Sequence, residues 1–282
     1  MKYPPHINSL SVQSVYIESI FPGEATSSAT GFFISLGYCS RVVYLATARH
    51  VLHGSDFFTD ACSAIPKAIR VWIPLKNRIE WRAFEISLLD ENTGSPKWID
   101  HETVKAAAIR QTFPDADIAL LPLKIDDSWR DALVIPYVPC RRQFFADWQR
   151  SIGMNLYLCG FPLKRTEQKL GVTVTASVAS EPNIDFHFRA RYYPFYLVSG
   201  RFWTGQSGSP VLPWPSVGAG STEGGDWEYA DGAEASVVGL YSGRLELSKN
   251  ETSDLGIVWH ADLLSQLAAT YNGEGHSIEW VK

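Results

Sequence analysis

Short runs of β-branched and aromatic residues, each closed by a turn signal, recur through most of this 282-residue chain. Val12–Ile20 ends at Phe21-Pro22-Gly23. Thr30–Leu36 and Val42–Ala48, split by Gly37 and Ser40-Arg41, have the pattern of a hairpin. Ala68–Leu75 and Trp81–Leu89 repeat that pattern across Lys76-Asn77-Arg78. Ile118–Leu123 is apolar on both faces, as a buried strand is. Met154–Gly160, the alternating Gly171–Ser180 and the short Val237–Tyr241 read as further strands, and Phe186–Val198 as one extended aromatic stretch. Helical spacing is clearest at Ala261–Thr270, where Leu263, Leu264, Leu267 and Ala268 follow Asp262. Asp126–Ala132 and Arg142–Arg150 read as short helices or turns, and Ser216–Ser236, rich in Gly, Ser and acidic residues, as a surface loop. Many strands and one late helix predict an all-β barrel or sandwich.

Composition narrows the function classes. With 45% hydrophobic and 20% charged residues the chain reads as an ordinary folded protein, not a disordered or coiled-coil one. A net charge of −5 offers no basic face for nucleic acid. Stretches such as Ile118–Leu123 are far shorter than the roughly 20 residues of a membrane-spanning helix. The opening Met-Lys-Tyr-Pro-Pro-His has no apolar run behind its Lys, so a cytoplasmic location is expected. Cys39, Cys62, Cys140 and Cys159 are scattered, without a Cys-x-x-Cys pair. They read as free thiols in a reducing compartment, with no zinc site. No cofactor is expected, and no metal: His187 and His260 stand isolated.

Three strings carry chemistry. In Gly205-Gln206-Ser207-Gly208-Ser209-Pro210, a Ser between glycines sits on a tight turn ahead of apolar Val211-Leu212. Such a turn exposes the hydroxyl and lets the Gly205 and Ser207 N–H groups converge into an oxyanion hole. In Leu45-Ala46-Thr47-Ala48-Arg49-His50, an apolar strand ends in small residues and delivers a His to the rim of the core, with His53 as the competing base. In Pro114-Asp115-Ala116-Asp117-Ile118-Ala119, a carboxylate immediately precedes a buried strand. Burial there is costly unless the carboxylate is hydrogen-bonded, for example to an imidazole; Asp115 is the surface alternative. Each string alone is often structural: a loop, a core His, a turn Asp. Their order of His, Asp and Ser, each beside an apolar strand, is what joins them.

With these strings the sequence resembles the trypsin-like, chymotrypsin-fold serine peptidases, in a bacterial-type intracellular form. Thr30-Gly31-Phe32-Phe33-Ile34, Cys159-Gly160-Phe161-Pro162 and Val238-Gly239-Leu240-Tyr241-Ser242-Gly243 add to the likeness, which runs from about residue 12 to residue 270. The resemblance implies two packed six-stranded antiparallel β-barrels with a C-terminal helix. Residues 1–130 would carry His50 and Asp117, and residues 131–282 Ser207. It implies Ser207 as nucleophile, His50 as general base and acid, Asp117 as the group that orients His50, and Gly205 and Ser207 amides as the oxyanion hole. Ser242, Gly243 and Arg244 would pair with an extended protein or peptide substrate. Limited regulatory or defence-related processing is the implied role.

The chain departs from the family pattern in places. Val51 and Trp203 stand where secreted relatives carry disulfide cysteines, which agrees with a reducing compartment. Gln206 replaces the Asp that pairs with a freshly cut N-terminus in zymogen-activated relatives, so activity independent of N-terminal cleavage is expected. The specificity pocket would be formed by Arg201 and Phe202 against Tyr241, Ser242 and Arg244. Arg201 and Arg244 suit an acidic P1 side chain; Phe202 filling the pocket suits a small or apolar one; the Asp of a Lys/Arg-specific pocket is missing. The alternative function is a catalytically silent protease-fold module that binds peptides. An esterase on an α/β fold is disfavoured by Ser209 in place of the second elbow Gly and by a His that precedes the Ser. His101–Arg110 reads as an inserted helix or loop that would shape the non-prime cleft, bind a regulatory protein or cover the barrel.

Overall fold

The computed structural model describes residues 11, 13–23, 25–35, 42–54, 64–74, 81–103, 116–124, 138–139, 151–162, 169–213, 219–221, 227–229, 237–248 and 251–281. The first half contains β1 (Val15–Ile20), β2 (Thr26–Ser35), β3 (Val42–Thr47), α1 (Arg49–His53), β4 (Ala68–Pro74), β5 (Trp81–Ser87), β6 (Ala119–Lys124) and β7 (Val138–Pro139). The second contains β8 (Asn155–Gly160), β9 (Val172–Val178), β10 (Phe186–Phe188), β11 (Arg191–Tyr193), β12 (Phe195–Gly200), β13 (Ser209–Pro213), β14 (Ala219–Ser221), β15 (Trp227–Tyr229), β16 (Gly239–Ser248), β17 (Glu251–His260), α2 (Asp262–Ala269) and β18 (Glu279–Trp280).

Strands of the first half form one sheet in the order β18-β5-β4-β1-β2-β3-β6, with β7 pairing β2. The chain just after β5 is joined to β6, at the other end of the sheet, through residues 96–99. Pro96 bridges Leu89, Lys97 donates to Leu88, and Ile99 exchanges two backbone hydrogen bonds with Leu120 of β6. The sheet thus curls around a core of Ile17, Phe32, Leu45, Ile69, Phe84 and Leu121, all fully buried. The second half is a closed barrel, β12-β17-β16-β13-β8-β9, in which β9 returns to β12 through Val198–Val178. The all-β class, the barrel architecture and the C-terminal helix expected from the sequence are all present.

The C-terminus straps the two halves together. α2 buries Leu263, Leu264 and Leu267, each contributing roughly 1.5–3 kcal/mol by leaving water. Tyr44 of β3 donates its hydroxyl to the Ala268 carbonyl on that helix. The tail then runs beside β6, where His276 exchanges backbone hydrogen bonds with Pro122 and Lys124, and ends as β18 on the edge of β5.

Three elements differ from the sequence reading. Phe186–Val198 is not one extended stretch but three strands. β10 and β11 are joined by a two-residue turn, Arg189-Ala190, with both φ positive (48° and 62°). That is a type I′ geometry in residues that give no Gly or Asn signal. The short strand expected at Val237–Tyr241 is the start of a ten-residue strand paired with the equally long β17, whose polar first half gave no apolar pattern. Within the expected 216–236 loop, β14 and β15 pair as a small ribbon. Asp126–Ala132, Arg142–Arg150, residues 104–110 of the insertion, Asp115, Cys39, Cys62, Cys140 and the 130/131 boundary lie outside the described residues.

Candidate active site

β3 is buried along most of its length, and Ala48 after it is fully buried, so the chain can leave the core only at Arg49. There it turns into α1, whose second residue is His50. β6 runs antiparallel to β3, with Thr47 opposite Ala119, which puts Asp117 beside the end of β3. Asp117 grips His50 at two points. The His50 backbone N–H donates to Oδ1 (2.9 Å), and Nδ1 lies 2.8 Å from Oδ2. A carboxylate can only accept, so Nδ1 carries the hydrogen and Nε2 of the neutral ring is left as an acceptor. The Asp117 side chain is 6% exposed and that of His50 31%, so the acid is shielded while the imidazole rim reaches solvent.

His53, one turn further, faces elsewhere. Its ring stands edge-on to Trp98 at 6.1 Å, and Nε2 lies 3.9 Å from Glu102. Burial first, then the Arg49 charge, hold it below the usual histidine range, against an opposing pull from Glu102 and Asp100. Behind it sits a second, fully buried carboxylate that the sequence reading did not single out. Asp100 accepts from Arg49 Nε (3.0 Å), Trp98 Nε1 (2.8 Å) and the backbone N–H groups of Glu102 and Thr103. Burial alone would raise its pKa, but these donors outweigh burial and hold it below the ordinary value. The pair ties α1 to the strip that bridges β6. No local spacing signals it, because Arg49 and Asp100 are 51 residues apart.

The Ser207 string forms two tight turns. Gln206 donates its N–H to the Trp203 carbonyl (3.3 Å), and Gly205 at the third position has φ 96°. That is a type II turn, which needs the left-handed conformation glycine adopts without strain. The fully buried Gln206 side chain closes the same turn by accepting from Trp203 N–H (2.9 Å). Ser209 then donates both its N–H and its hydroxyl to the Gln206 carbonyl (2.9 and 2.6 Å). Gly208, φ 88°, is pressed against the Thr30 backbone and Thr47 Oγ1, where no side chain fits. Among the described residues neither the Gly205 N–H nor the Ser207 N–H has an acceptor, and the Ser207 hydroxyl is likewise without a hydrogen bond. Gly205 is buried and Ser207 half-buried. Unpaired N–H groups at such depth cost free energy, and they are the form an anion-accepting pair takes.

The two halves meet at this turn. Thr30 of β2 donates its N–H to the Ser207 carbonyl (2.9 Å) and its hydroxyl to the Gly205 carbonyl (2.8 Å). Its own carbonyl accepts from Thr47 Oγ1 (2.7 Å), three residues before His50. On the other flank Gly208 donates to the Tyr241 carbonyl (2.8 Å), which sets β16 alongside. Of the expected pocket residues, Phe202 and Tyr241 are buried and stacked, with centroids 4.8 Å apart. Arg201 is exposed, its guanidinium 5.6 Å over the Trp203 ring. Ser242 is buried and accepts from Trp259 Nε1 (3.0 Å); Gly243 is half-buried and Arg244 exposed.

Cys159 is a buried thiol in no disulfide that accepts from the Ser14 hydroxyl, and burial pushes it up to about 11, which leaves no reactive thiolate. Among the described residues no group of three His, Cys, Asp or Glu side chains is arranged to hold a metal ion, and no helix is long and apolar enough to cross a membrane.

No family model and no curated protein matches the sequence. Solved structures do match by shape. The MamO protease domain from Magnetospirillum magneticum has a TM-score of 0.51 at 12% identity, over 92% of this chain and 97% of that one. The thermostable serine protease AL20, from an extremophilic microorganism, has 0.50 at 11% identity, over 93% and 99%. The HtrA-type protease AlgW with a decapeptide has 0.50 at 11% identity; 92% of this chain spans 64% of that one. At these identities the likeness is one of fold, and its coverage takes in both halves of the chain. The chain therefore has the chymotrypsin-like double-barrel fold of the serine proteases.

Proposed function

We propose that the chain is a serine endopeptidase that cleaves protein or peptide substrates through an acyl-enzyme. The observation that carries this reading is the two-point bond between Asp117 and His50, which fixes the imidazole with Nδ1 on the carboxylate and so makes Nε2 the atom that takes a proton. In that reaction the Ser207 oxygen attacks the scissile carbonyl carbon as His50 Nε2 takes the hydroxyl proton. The carbonyl oxygen, now anionic, is received by the Gly205 and Ser207 N–H groups, each worth about 3–4 kcal/mol to the transition state. His50 gives its proton to the departing amine, and the carbon–nitrogen bond breaks. Water then repeats the sequence on the ester and restores the Ser207 hydroxyl. Asp117 stabilises the transient imidazolium and does not itself take the proton. Ser242, Gly243 and Arg244, on the strand beside the Ser207 turn, are suited to pair with an extended substrate backbone. A peptide partner is in keeping with the decapeptide in the AlgW structure. Limited processing in the cytoplasm is the role proposed; the Cys159 thiol, in no disulfide, with Val51 and Trp203 in place of cysteines, suits a reducing compartment.

Intact-mass labelling with a fluorophosphonate tests the reading. One adduct is expected on the wild-type protein and none on Ser207→Ala, and a folded wild type that takes no adduct overturns it. Asp117→Asn is expected to lower the labelling rate by up to about 10⁴-fold, because the ring loses the partner that fixes its tautomer.

A further inference from the structure

We infer that this site accepts only substrates with a small side chain, such as Ala, Ser or Val, at the residue whose carbonyl is attacked. The inference rests on the peptidase reading of Ser207 and deepens it. A side chain one bond from a carbonyl held at Ser207 must enter the space beside the turn. On one side that space is walled by β16, which the Gly208 to Tyr241 hydrogen bond locks against the turn. On the other it is walled by residues 200–205, which lead into the turn. Each wall contributes a ring that meets the other's. Phe202 and Tyr241 stack face to face, 4.8 Å apart and 25° from parallel, and are 6% and 2% exposed.

The floor is shaped to these rings. A Cβ at Gly256 would come within 2.7 Å of Tyr241 Cε2 and 2.8 Å of Phe202 Cε2, and one at Gly200 within 3.1 Å of Phe202 Cζ. Both glycines leave the room that the rings occupy, so the stack has backbone beneath it and nowhere to retreat. It also belongs to the second barrel's core, with Val198, Val211 and Val258, where displacing a ring would disrupt close packing. Among the described residues the cations stay at the edge of this space: Arg201 lies out over Trp203, and Arg244, exposed on β16, acts on the Tyr241 hydroxyl only through its charge. Burial also pushes the Tyr241 hydroxyl above its ordinary range, so it stays neutral. A large P1 residue, whether aromatic, basic or acidic, meets a closed aromatic wall. A methyl or isopropyl group rests on its face.

Peptidyl diphenyl phosphonates that share one leading sequence and differ only in the P1 position test this, read as the rate of adduct formation by intact mass. The Ala and Val analogues are expected to label at least tenfold faster than the Phe, Lys and Glu analogues. In Phe202→Ala, and in the milder Phe202→Leu, the Phe analogue is expected to gain on the Ala analogue. Equal or faster labelling of wild type by the Phe, Lys or Glu analogue, while a simple fluorophosphonate still modifies Ser207, overturns the small-residue pocket and leaves the peptidase reading standing. Absence of any adduct, fluorophosphonate included, on folded wild type removes both. The wild-type panel decides the matter even where a Phe202 variant does not fold.

Discussion

Thr30 and Ser207, 177 residues apart, are joined by a hydrogen bond from the Thr30 N–H to the Ser207 carbonyl, 2.9 Å long. The bond crosses from the sheet that supplies His50 to the barrel that supplies Ser207. The Thr30 hydroxyl reinforces it, donating to Gly205 and accepting from the Phe161 N–H at 3.0 Å. One fully buried threonine thus registers the Ser207 turn against β2, and through Thr47 against the strand that ends at His50. Thr30→Val keeps the shape but strands the Gly205 carbonyl and the Phe161 N–H. A loss of about 1–3 kcal/mol in denaturant unfolding is expected, with slower fluorophosphonate labelling, and Thr30→Ser should restore both.

Gly208→Ala tests the same contact by crowding. A Cβ there collides with the Thr30 carbonyl and Thr47 Oγ1, and the φ of 88° is strained for any side chain. Labelling of Ser207 should be abolished, with a melting temperature several degrees lower. A variant with wild-type labelling would show that the turn tolerates separation from β2.

The buried Arg49–Asp100 pair is expected to hold the His50 helix in place. α1 has only five residues, and its N-cap, Ala48, supplies no side-chain bond, so little within the helix keeps it formed. Asp100→Ala removes the buried partner of Arg49, leaving it only the half-exposed Glu102 at 2.7 Å, and strands the Trp98, Glu102 and Thr103 donors, so a cost of about 3–5 kcal/mol is expected in urea unfolding. Equal stability of the variant and wild type would rule out that anchoring role.

Stability should fall on the acid side in two stages. The folded-state pKa values of His53 and His276 are depressed, in both chiefly by burial. The unfolded chain therefore takes up these protons first, at the ordinary histidine value near 6.5, and stability declines as the pH drops below it. Asp100 is also held low, so its contribution is complete above the ordinary carboxylate range and is lost only as the pH falls through that range toward its folded value. Melting temperatures at pH 7.5, 5.5 and 3.5 should decrease in that order. His276→Gln should flatten the first step, since His276 Nε2 lies 2.9 Å from the Lys97 carbonyl, a bond that a Gln amide can keep.

Labelling of Ser207 is expected without N-terminal trimming. Gln206 is uncharged and closes its own turn on Trp203, so no ammonium group is needed to order the Gly205 amide. Intact mass reads both facts at once, as a single species at full-length mass plus one adduct. If only chains shortened near residue 20 carry the adduct, the turn is not self-sufficient.

The sequence by itself determined the strand pattern, the late helix and the strings around His50, Asp117 and Ser207. Each of these is local: apolar periodicity, turn residues, small residues at a strand end, glycines where φ must be positive. Local signals failed where geometry came without its usual residues. Arg189-Ala190 turns as a glycine pair would, and β17 is held by pairing with β16 although Glu251, Ser253 and Asp254 begin it. Only the tertiary structure decided which groups meet across the chain. Thr30 under the Ser207 turn, Asp100 behind His50, and Phe202 upon Tyr241 over Gly256 are contacts between residues tens to well over a hundred positions apart. Such contacts follow from how two curved sheets close and meet, and leave no periodicity in the chain. For that reason the residues proposed for the site could be picked out along the sequence, while the contacts that support them could not.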